Sequence, residues 1–158
     1  MTKVTLSLQK ACTSKEIPSS KEFKTWILTA LQIAGFDKAC EVAIRLVDET
    51  ESQALNLQYR GKDKPTNVLS FASELPSEVL DALKCEPLGD MVICVPVMQR
   101  EAQEQQKTAT AHWAHLTIHS TLHLLGFDHI EEDEAQEMEA LEIIALQQLG
   151  YKNPYLID

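Results

Sequence analysis

The sequence contains no apolar run that could cross a membrane and no apolar leader at its start. A membrane-spanning helix needs about 20 mainly apolar residues in succession, and no segment of the 158-residue chain comes near that length. The opening residues, MTKVTLSLQK, alternate polar and apolar positions, unlike the apolar centre of a signal peptide. The sequence therefore predicts a cytoplasmic protein that does not bind membranes.

Cysteine is scattered, and no two cysteines form a C-x-x-C pair. A disulfide framework or a cysteine-rich metal site is not expected from such spacing in a reducing compartment. Cys40 and Cys94 lie in apolar runs and are predicted to be small core residues. Because no internal repeat or low-complexity linker interrupts the chain, we expect a single domain over residues 1–158.

Basic residues are fewer than acidic ones: the chain has 14 Lys and Arg and 24 Asp and Glu, which gives a net charge of −10. Proteins bind phosphate backbones through Lys and Arg, so this balance argues against a large non-specific nucleic-acid surface and against DNA as a partner. Seven acidic residues lie close together near the end of the chain, and such a group is typical of a solvated helix face. They are Glu131, Glu132, Asp133, Glu134, Glu137, Glu139 and Glu142.

The charge balance reverses between residues 57 and 67. In that segment a single Asp63 accompanies three basic residues, Arg60, Lys62 and Lys64. A local anionic partner is therefore still allowed, although the chain as a whole is acidic.

Hydrophobic periodicity predicts alternating strands and helices. Strands are expected over residues 3–8, 40–47, 68–71 and 91–95, and the last of these is a continuous apolar run typical of an interior strand. Helices are expected from the Ser19–Glu22 capping box to Gly35, from Thr50 to about Tyr59, from Pro96 onwards, over about 110–125 and over about 133–149. Residues 73–88 are predicted to be mostly irregular, and the class is α+β or α/β.

All five histidines lie between residues 112 and 129, and the first four project onto one stripe of a helix. His119 and His123 are four residues apart, so their side chains lie one turn apart on the same face. A left-handed Gly126 would end the helix and bring His129 back beneath the pair. We therefore predict that His119, His123 and His129 bind one zinc ion. The fourth position is left to water, as in catalytic zinc sites.

The roles of the other polar residues in this segment are less specific. His112 and His115 are expected to be core or groove residues rather than ligands. Asp128 either accepts a hydrogen bond from a ligand imidazole or shapes the turn through its own backbone. Three imidazoles also fit nickel, copper or iron, so the spacing alone does not identify the metal.

The spacing H-x-x-x-H-x-x-G-x-x-H matches the metal ligands of metzincin proteases. In those enzymes the residue after the first histidine is a glutamate that activates water, whereas this chain has Ser120. A hydroxyl does not accept a proton near neutral pH, so Ser120 is not a general base. No other residue of the motif replaces the carboxylate, and this argues against a protease.

Residues 119–129, HSTLHLLGFDH, resemble the H-G-x-L-H-L-x-G-Y-D-H segment of the YbeY family, the bacterial endoribonucleases of ribosomal RNA maturation. Ser120 replaces Gly and Phe127 replaces Tyr. Leu55-Asn56 and residues 59–71, YRGKDKPTNVLSF, are similar to a second signature of the family, in which Asp is usual at the place of Asn67.

A third signature fits residues 88–90, Leu-Gly-Asp, and the resemblance covers roughly residues 50–135. It implies an α+β fold with a mixed sheet of about four strands and about five helices, similar to the zincin core. It implies a zinc-dependent, single-strand-specific endoribonuclease in rRNA maturation, at the 16S 3′ end, and in ribosome quality control. The implied partners are single-stranded rRNA and the ribosome or ribosome-associated proteins, and Arg60 is the implied functional arginine.

On this hypothesis Arg60 clamps a phosphate with its planar guanidinium, and Lys62 and Lys64 steer the RNA backbone. The alternatives are a surface or ion-pairing role for Arg60 and simple solvation for the two lysines. The nucleophile is either a metal hydroxide or the 2′-hydroxyl of the RNA. A 2′,3′-cyclic phosphate on the product would exclude direct attack by water.

Two other classes of protein stay open. The first is a different metal hydrolase, such as a peptidase that recruits a distant Glu or Asp. The second is a non-enzymatic ribosome-assembly factor in which zinc only locks the fold. The acidic surface mildly favours both over a free-standing nuclease, unless the ribosome or a helper protein presents the RNA.

Overall fold

A computed structural model describes residues 2–127 and 131–155. In these two ranges four strands form one sheet: β1 (Lys3–Ala11), β2 (Ala39–Val47), β3 (Val68–Ala72) and β4 (Glu86–Cys94). The same ranges contain six helices: α1 (Ser20–Ile33), α2 (Glu49–Arg60), α3 (Ser77–Ala82), α4 (Val95–Glu104), α5 (Ala109–Leu124) and α6 (Glu132–Gln148). The α+β class is confirmed.

The strands lie in the order β1-β2-β4-β3, with β1, β2 and β4 parallel and β3 antiparallel to β4. The sheet is therefore mixed, as predicted, and residues 91–94 of the apolar run do end an interior strand, whereas Val95 begins α4. The edge strand β3 approaches β4 closely at Gly89, where a Cβ atom would lie 2.1 Å from the carbonyl oxygen of Phe71. With a φ of +140° and no space for a side chain, this position accepts only glycine.

Alternate residues of β4 face two different apolar clusters because side chains alternate along a strand. Met91 and Ile93 belong to the main core, which the strands share with α1, α5 and α6. Val92 and Cys94 belong to a smaller cluster with Leu69, covered by residues of α2 and α4. The face that carries the main core is therefore the one on which α5 and its histidines are held.

Cys40 and Cys94 are buried, as predicted. Burial raises the pKa of the Cys40 thiol to about 11, so that the thiol stays protonated near neutral pH. Among the described residues, no helix is both long and apolar enough to cross a membrane.

The Ser19–Glu22 capping box is confirmed by its two reciprocal hydrogen bonds, 3.2 Å and 3.1 Å long. The predicted start of the next helix at Thr50 is wrong, since α2 begins at Glu49 after Asp48. The prediction of mostly irregular chain over 73–88 is also wrong in part. Six of these residues form α3 after Pro76, and Glu86 begins β4.

Candidate metal centre

Helix α5 presents its histidines along one side while its other sides are buried. Thr108 caps its start by accepting a hydrogen bond from the backbone N–H of Ala111 at 3.1 Å. The rings of His115, His119 and His123 follow one another along the helix, with centroids 6.4 Å and then 4.6 Å apart. All three side chains are partly exposed, so they border solvent as a binding site requires.

His119 and His123 bring their Nε2 atoms to within 3.1 Å of each other. Zinc binds imidazole nitrogen at about 2.0–2.1 Å, so the nitrogen atoms of two histidines that occupy two corners of a tetrahedral site lie about 3.3 Å apart. The pair therefore fits two ligands of a single zinc ion. His129 and Asp128 lie outside the described residues, and within residues 2–127 and 131–155 no three His, Cys, Asp or Glu side chains form a metal-binding group. The third ligand stays a prediction.

The end of α5 has the turn that the motif requires. The helix ends at Leu124, and Gly126 adopts a left-handed conformation with a φ of +101°. The N–H of Phe127 then donates to the carbonyl of Leu122 at 3.1 Å. A glycine in this conformation closes the helix and changes the chain direction immediately before residues 128–130.

Glu142 of α6 is the residue of this centre that the sequence interpretation missed. Six acidic residues between 131 and 139 are exposed, as predicted for a solvated face, but Glu142 is buried. Its Oε2 accepts a hydrogen bond from His119 Nδ1 at 3.1 Å, and its Oε1 lies 2.6 Å from His115 Nε2. The phenol of Tyr155 also donates to Oε1, at 2.7 Å.

The hydrogen bonds to Glu142 keep it ionised. Burial alone would raise the pKa of this carboxyl, but the bonds from His115 and His119 outweigh burial and bring the pKa to about 2. For His115 burial dominates and lowers the pKa of the imidazole, so the neutral ring is favoured. Lys107 Nζ lies 3.4 Å from His115 Nδ1, which leaves Nε2 as the donor to Glu142.

His112 is buried and serves a neighbouring polar cluster. Its Nε2 lies 2.9 Å from a carboxylate oxygen of Glu101, and Asn67 donates to the same carboxylate at 3.1 Å. Burial would raise the pKa of Glu101, but these two donors outweigh it and lower that pKa. The Asn67 amide suits this place because an aspartate would set a second negative charge against Glu101.

Ser120 faces the sheet rather than the histidine stripe. It is fully buried, and its hydroxyl lies 2.6 Å from that of Ser70 on β3. This position agrees with the interpretation that Ser120 does not take the place of a catalytic glutamate. It also fixes α5 beside the edge strand.

Arg60 is the last residue of α2, and its side chain is exposed. The loop that follows is held in place from α2, because Asn56 Nδ2 donates to the Lys64 carbonyl at 2.8 Å and Ser52 Oγ accepts from the N–H of Thr66 at 3.0 Å. Lys62 and Lys64 are exposed on this loop. The structure thus groups the three basic residues at one end of α2.

The edge strand β3 is contacted by a residue of α2 next to Arg60 and by a residue of the histidine helix α5. Tyr59, beside Arg60, packs edge-on against Phe71 with ring centroids 5.0 Å apart. The preceding residue of β3, Ser70, points to the opposite face and contacts Ser120 next to His119. The chain neighbours of Arg60 and of His119 therefore contact adjacent residues of the same short strand.

A mixed four-stranded sheet and a helix with two converging histidines define a small α+β protein with a zincin-like core. The sequence profile described as "Endoribonuclease YbeY" matches residues 7–150. The chain therefore belongs to the YbeY family, and this membership supports an RNA-cleaving hydrolase with a role in rRNA processing. The solution structure of TM1509 from Thermotoga maritima is similar, at 25% identity and a TM-score of 0.56, over 90% of this chain and 88% of that one.

Proposed function

We propose that this protein is a zinc-dependent endoribonuclease that cleaves single-stranded RNA through a site formed by His119, His123 and His129. The observation that supports the proposal most directly is the 3.1 Å separation of the two Nε2 atoms on α5. We further propose that it acts as a single cytoplasmic domain in maturation of the 16S 3′ end and in ribosome quality control.

Each protein group has a separate task in the proposed reaction. A bound zinc ion would lower the pKa of a coordinated water and polarise a phosphoryl oxygen. The Arg60 guanidinium offers paired donors to a phosphate and offsets negative charge that grows on its oxygens. Lys62 and Lys64 attract the flanking backbone, since both are exposed beside Arg60.

The exposed ring of Tyr59 supports a preference for unpaired RNA. Tyr59 is 58% exposed, and its ring packs against that of Phe71. A base that is not paired can stack on such a ring while the adjoining phosphate reaches Arg60. Bases within a duplex are already stacked and are not available for this contact.

Replacing Tyr59 with alanine is expected to weaken binding of a single-stranded oligoribonucleotide by about 5- to 150-fold, which corresponds to the 1–3 kcal/mol that base stacking contributes. Tyr59→Phe should bind as the wild type does. Leu57→Ala, which removes another exposed apolar side chain from α2, serves as the control. Fluorescence anisotropy gives the dissociation constants, and equal affinity of Tyr59→Ala and wild type would exclude the stacking role.

The net charge of −10 suggests how the substrate arrives. A surface of this sign repels free RNA at long range, so the basic loop acts only at short distance. Presentation of the RNA by the ribosome or by a helper protein removes that barrier. Added ribosomal particles should then increase the rate of cleavage more than an equal concentration of free rRNA does.

The direct test compares cleavage of single-stranded and duplex RNA by purified protein before and after removal of its metal. We expect cleavage only of the single-stranded substrate, loss of activity with a chelator, and recovery with one equivalent of zinc. Activity that persists in metal-free protein would contradict the proposal. Peptide cleavage without RNA cleavage would instead favour the peptidase alternative.

A further inference from the structure

We infer that Glu142 is a positioning residue for the metal centre, which holds His119 in the tautomer that presents Nε2 to zinc. The inference rests on the proposed zinc site. It concerns a residue on α6, a helix that contributes none of the three predicted ligands.

The hydrogen bond at His119 decides the tautomer. Glu142 Oε2 lies 3.1 Å from His119 Nδ1, where a carboxylate oxygen is placed to accept a hydrogen bond from an Nδ1–H group. With the proton on Nδ1, the Nε2 atom has its lone pair available for a metal ion. That lone pair points into the region in which His123 Nε2 lies 3.1 Å away.

The carboxylate is itself fixed in place. Its Oε1 accepts from both His115 and Tyr155, and its side chain is only 1% exposed. Met138, Ala145 and Leu146 are buried on the same helix, so Glu142 lies on the buried side of α6. The same burial separates it from water and substrate, so it positions His119 rather than acting as a general base.

A purely structural role would also explain a buried carboxylate that joins α5 to α6. The two roles differ in what they change. Loss of a structural tie lowers the stability of the metal-free protein and leaves the preferred imidazole tautomer unaltered. Loss of the positioning role changes the tautomer and the metal affinity, as carboxylates behind metal-bound histidines do.

Glu142→Gln separates these roles because the two carboxylate oxygens have different partners. Oε1 receives two donors and Oε2 receives one. The glutamine oxygen is expected to keep the place of Oε1, so that the amide nitrogen faces His119 Nδ1. Nδ1 must then accept, and the proton moves to Nε2, where it blocks the metal position.

The experiment measures zinc affinity by competition with a chromophoric chelator and the tautomer of His119 by nitrogen-15 NMR of the metal-free protein. We expect the Nδ1–H form in the wild type, the Nε2–H form in Glu142→Gln, and a zinc dissociation constant raised 10- to 100-fold. Tyr155→Phe removes one bond to Oε1 and should raise the constant by a smaller factor. Glu139→Gln removes the same charge from an exposed place on α6 and should change neither value.

The outcomes distinguish this inference from the function on which it rests. Zinc binding by the wild type, with unchanged tautomer and affinity in Glu142→Gln, would overturn the role of Glu142 alone. Failure of the wild type to bind zinc would overturn the proposed metal site and the inference with it. If Glu142→Gln does not fold, an unchanged affinity and tautomer in Tyr155→Phe together with an Nε2–H wild type would overturn the inference.

Discussion

Replacement of His123 by alanine is expected to lower zinc affinity by more than about 100-fold and to abolish RNA cleavage. Substitutions behind a metal ligand cost 10- to 100-fold in affinity, and His123 is a predicted direct ligand whose Nε2 lies 3.1 Å from that of His119. Metal analysis of the purified variant and a chelator competition measure the first effect. Cleavage of single-stranded RNA measures the second.

The folding of the His123→Ala protein is the control for this experiment. The side chain is partly exposed near the end of α5, so the core remains filled without it. The metal-free wild type and the variant should melt at similar temperatures, and zinc should raise the melting temperature of the wild type only. A variant that cleaves RNA normally would exclude His123 from the centre. If His129→Ala unfolds the chain with no separable loss of activity, zinc has a structural role.

Replacement of Arg60 by alanine is expected to reduce kcat for RNA cleavage by 10²- to 10³-fold, the usual effect of removing one donor that stabilises transition-state charge. Zinc affinity should not change, because Arg60 lies on α2 and is not a predicted ligand. Arg60→Lys keeps the charge and loses the planar paired donors, so its activity should fall between that of the wild type and that of Arg60→Ala.

Arg100→Ala is the matched control for charge. Arg100 is exposed and pairs with Glu49, the first residue of α2, whereas Arg60 is the last residue of the same helix. Single-turnover kinetics with excess enzyme separate the chemical step from binding. RNA cleavage by Arg60→Ala at the wild-type rate would contradict a catalytic role. Peptide cleavage that survives this change while RNA cleavage is absent would favour the peptidase class.

The interior strand and the histidine-bearing helix were predictable from the sequence. The apolar run of β4 indicated an interior strand, and the stripe on α5 indicated the helix that carries the histidines. The left-handed Gly126 was predictable because few other residues end a helix in this way. The short α3 was not, since it buries no residue and leaves no periodic apolar pattern.

Glu142 shows why the remainder of the site was missed. Its charge placed it with its acidic neighbours, but its position four residues after Met138 and three before Ala145 places it on the buried stripe of α6. A charged residue on such a stripe is a signal that a partner exists. The identity of that partner depends on how α5 and α6 pack, which local sequence does not specify.

The Glu142 carboxylate lies on α6, whereas His119 and His123 lie on α5, so the centre depends on the packing of the two helices. A peptide that contains α5 alone would carry both converging imidazoles, but it would lack the Glu142 acceptor beside His119 Nδ1 and the Tyr155 phenol that bonds to Glu142. The smallest part of the chain that contains both imidazoles, Glu142 and Tyr155 runs from α5 through α6 to Tyr155. If the proposed zinc site exists, we therefore expect high-affinity metal uptake to require α6 packed against α5, because the spacing of histidines along one helix does not supply the Glu142 acceptor.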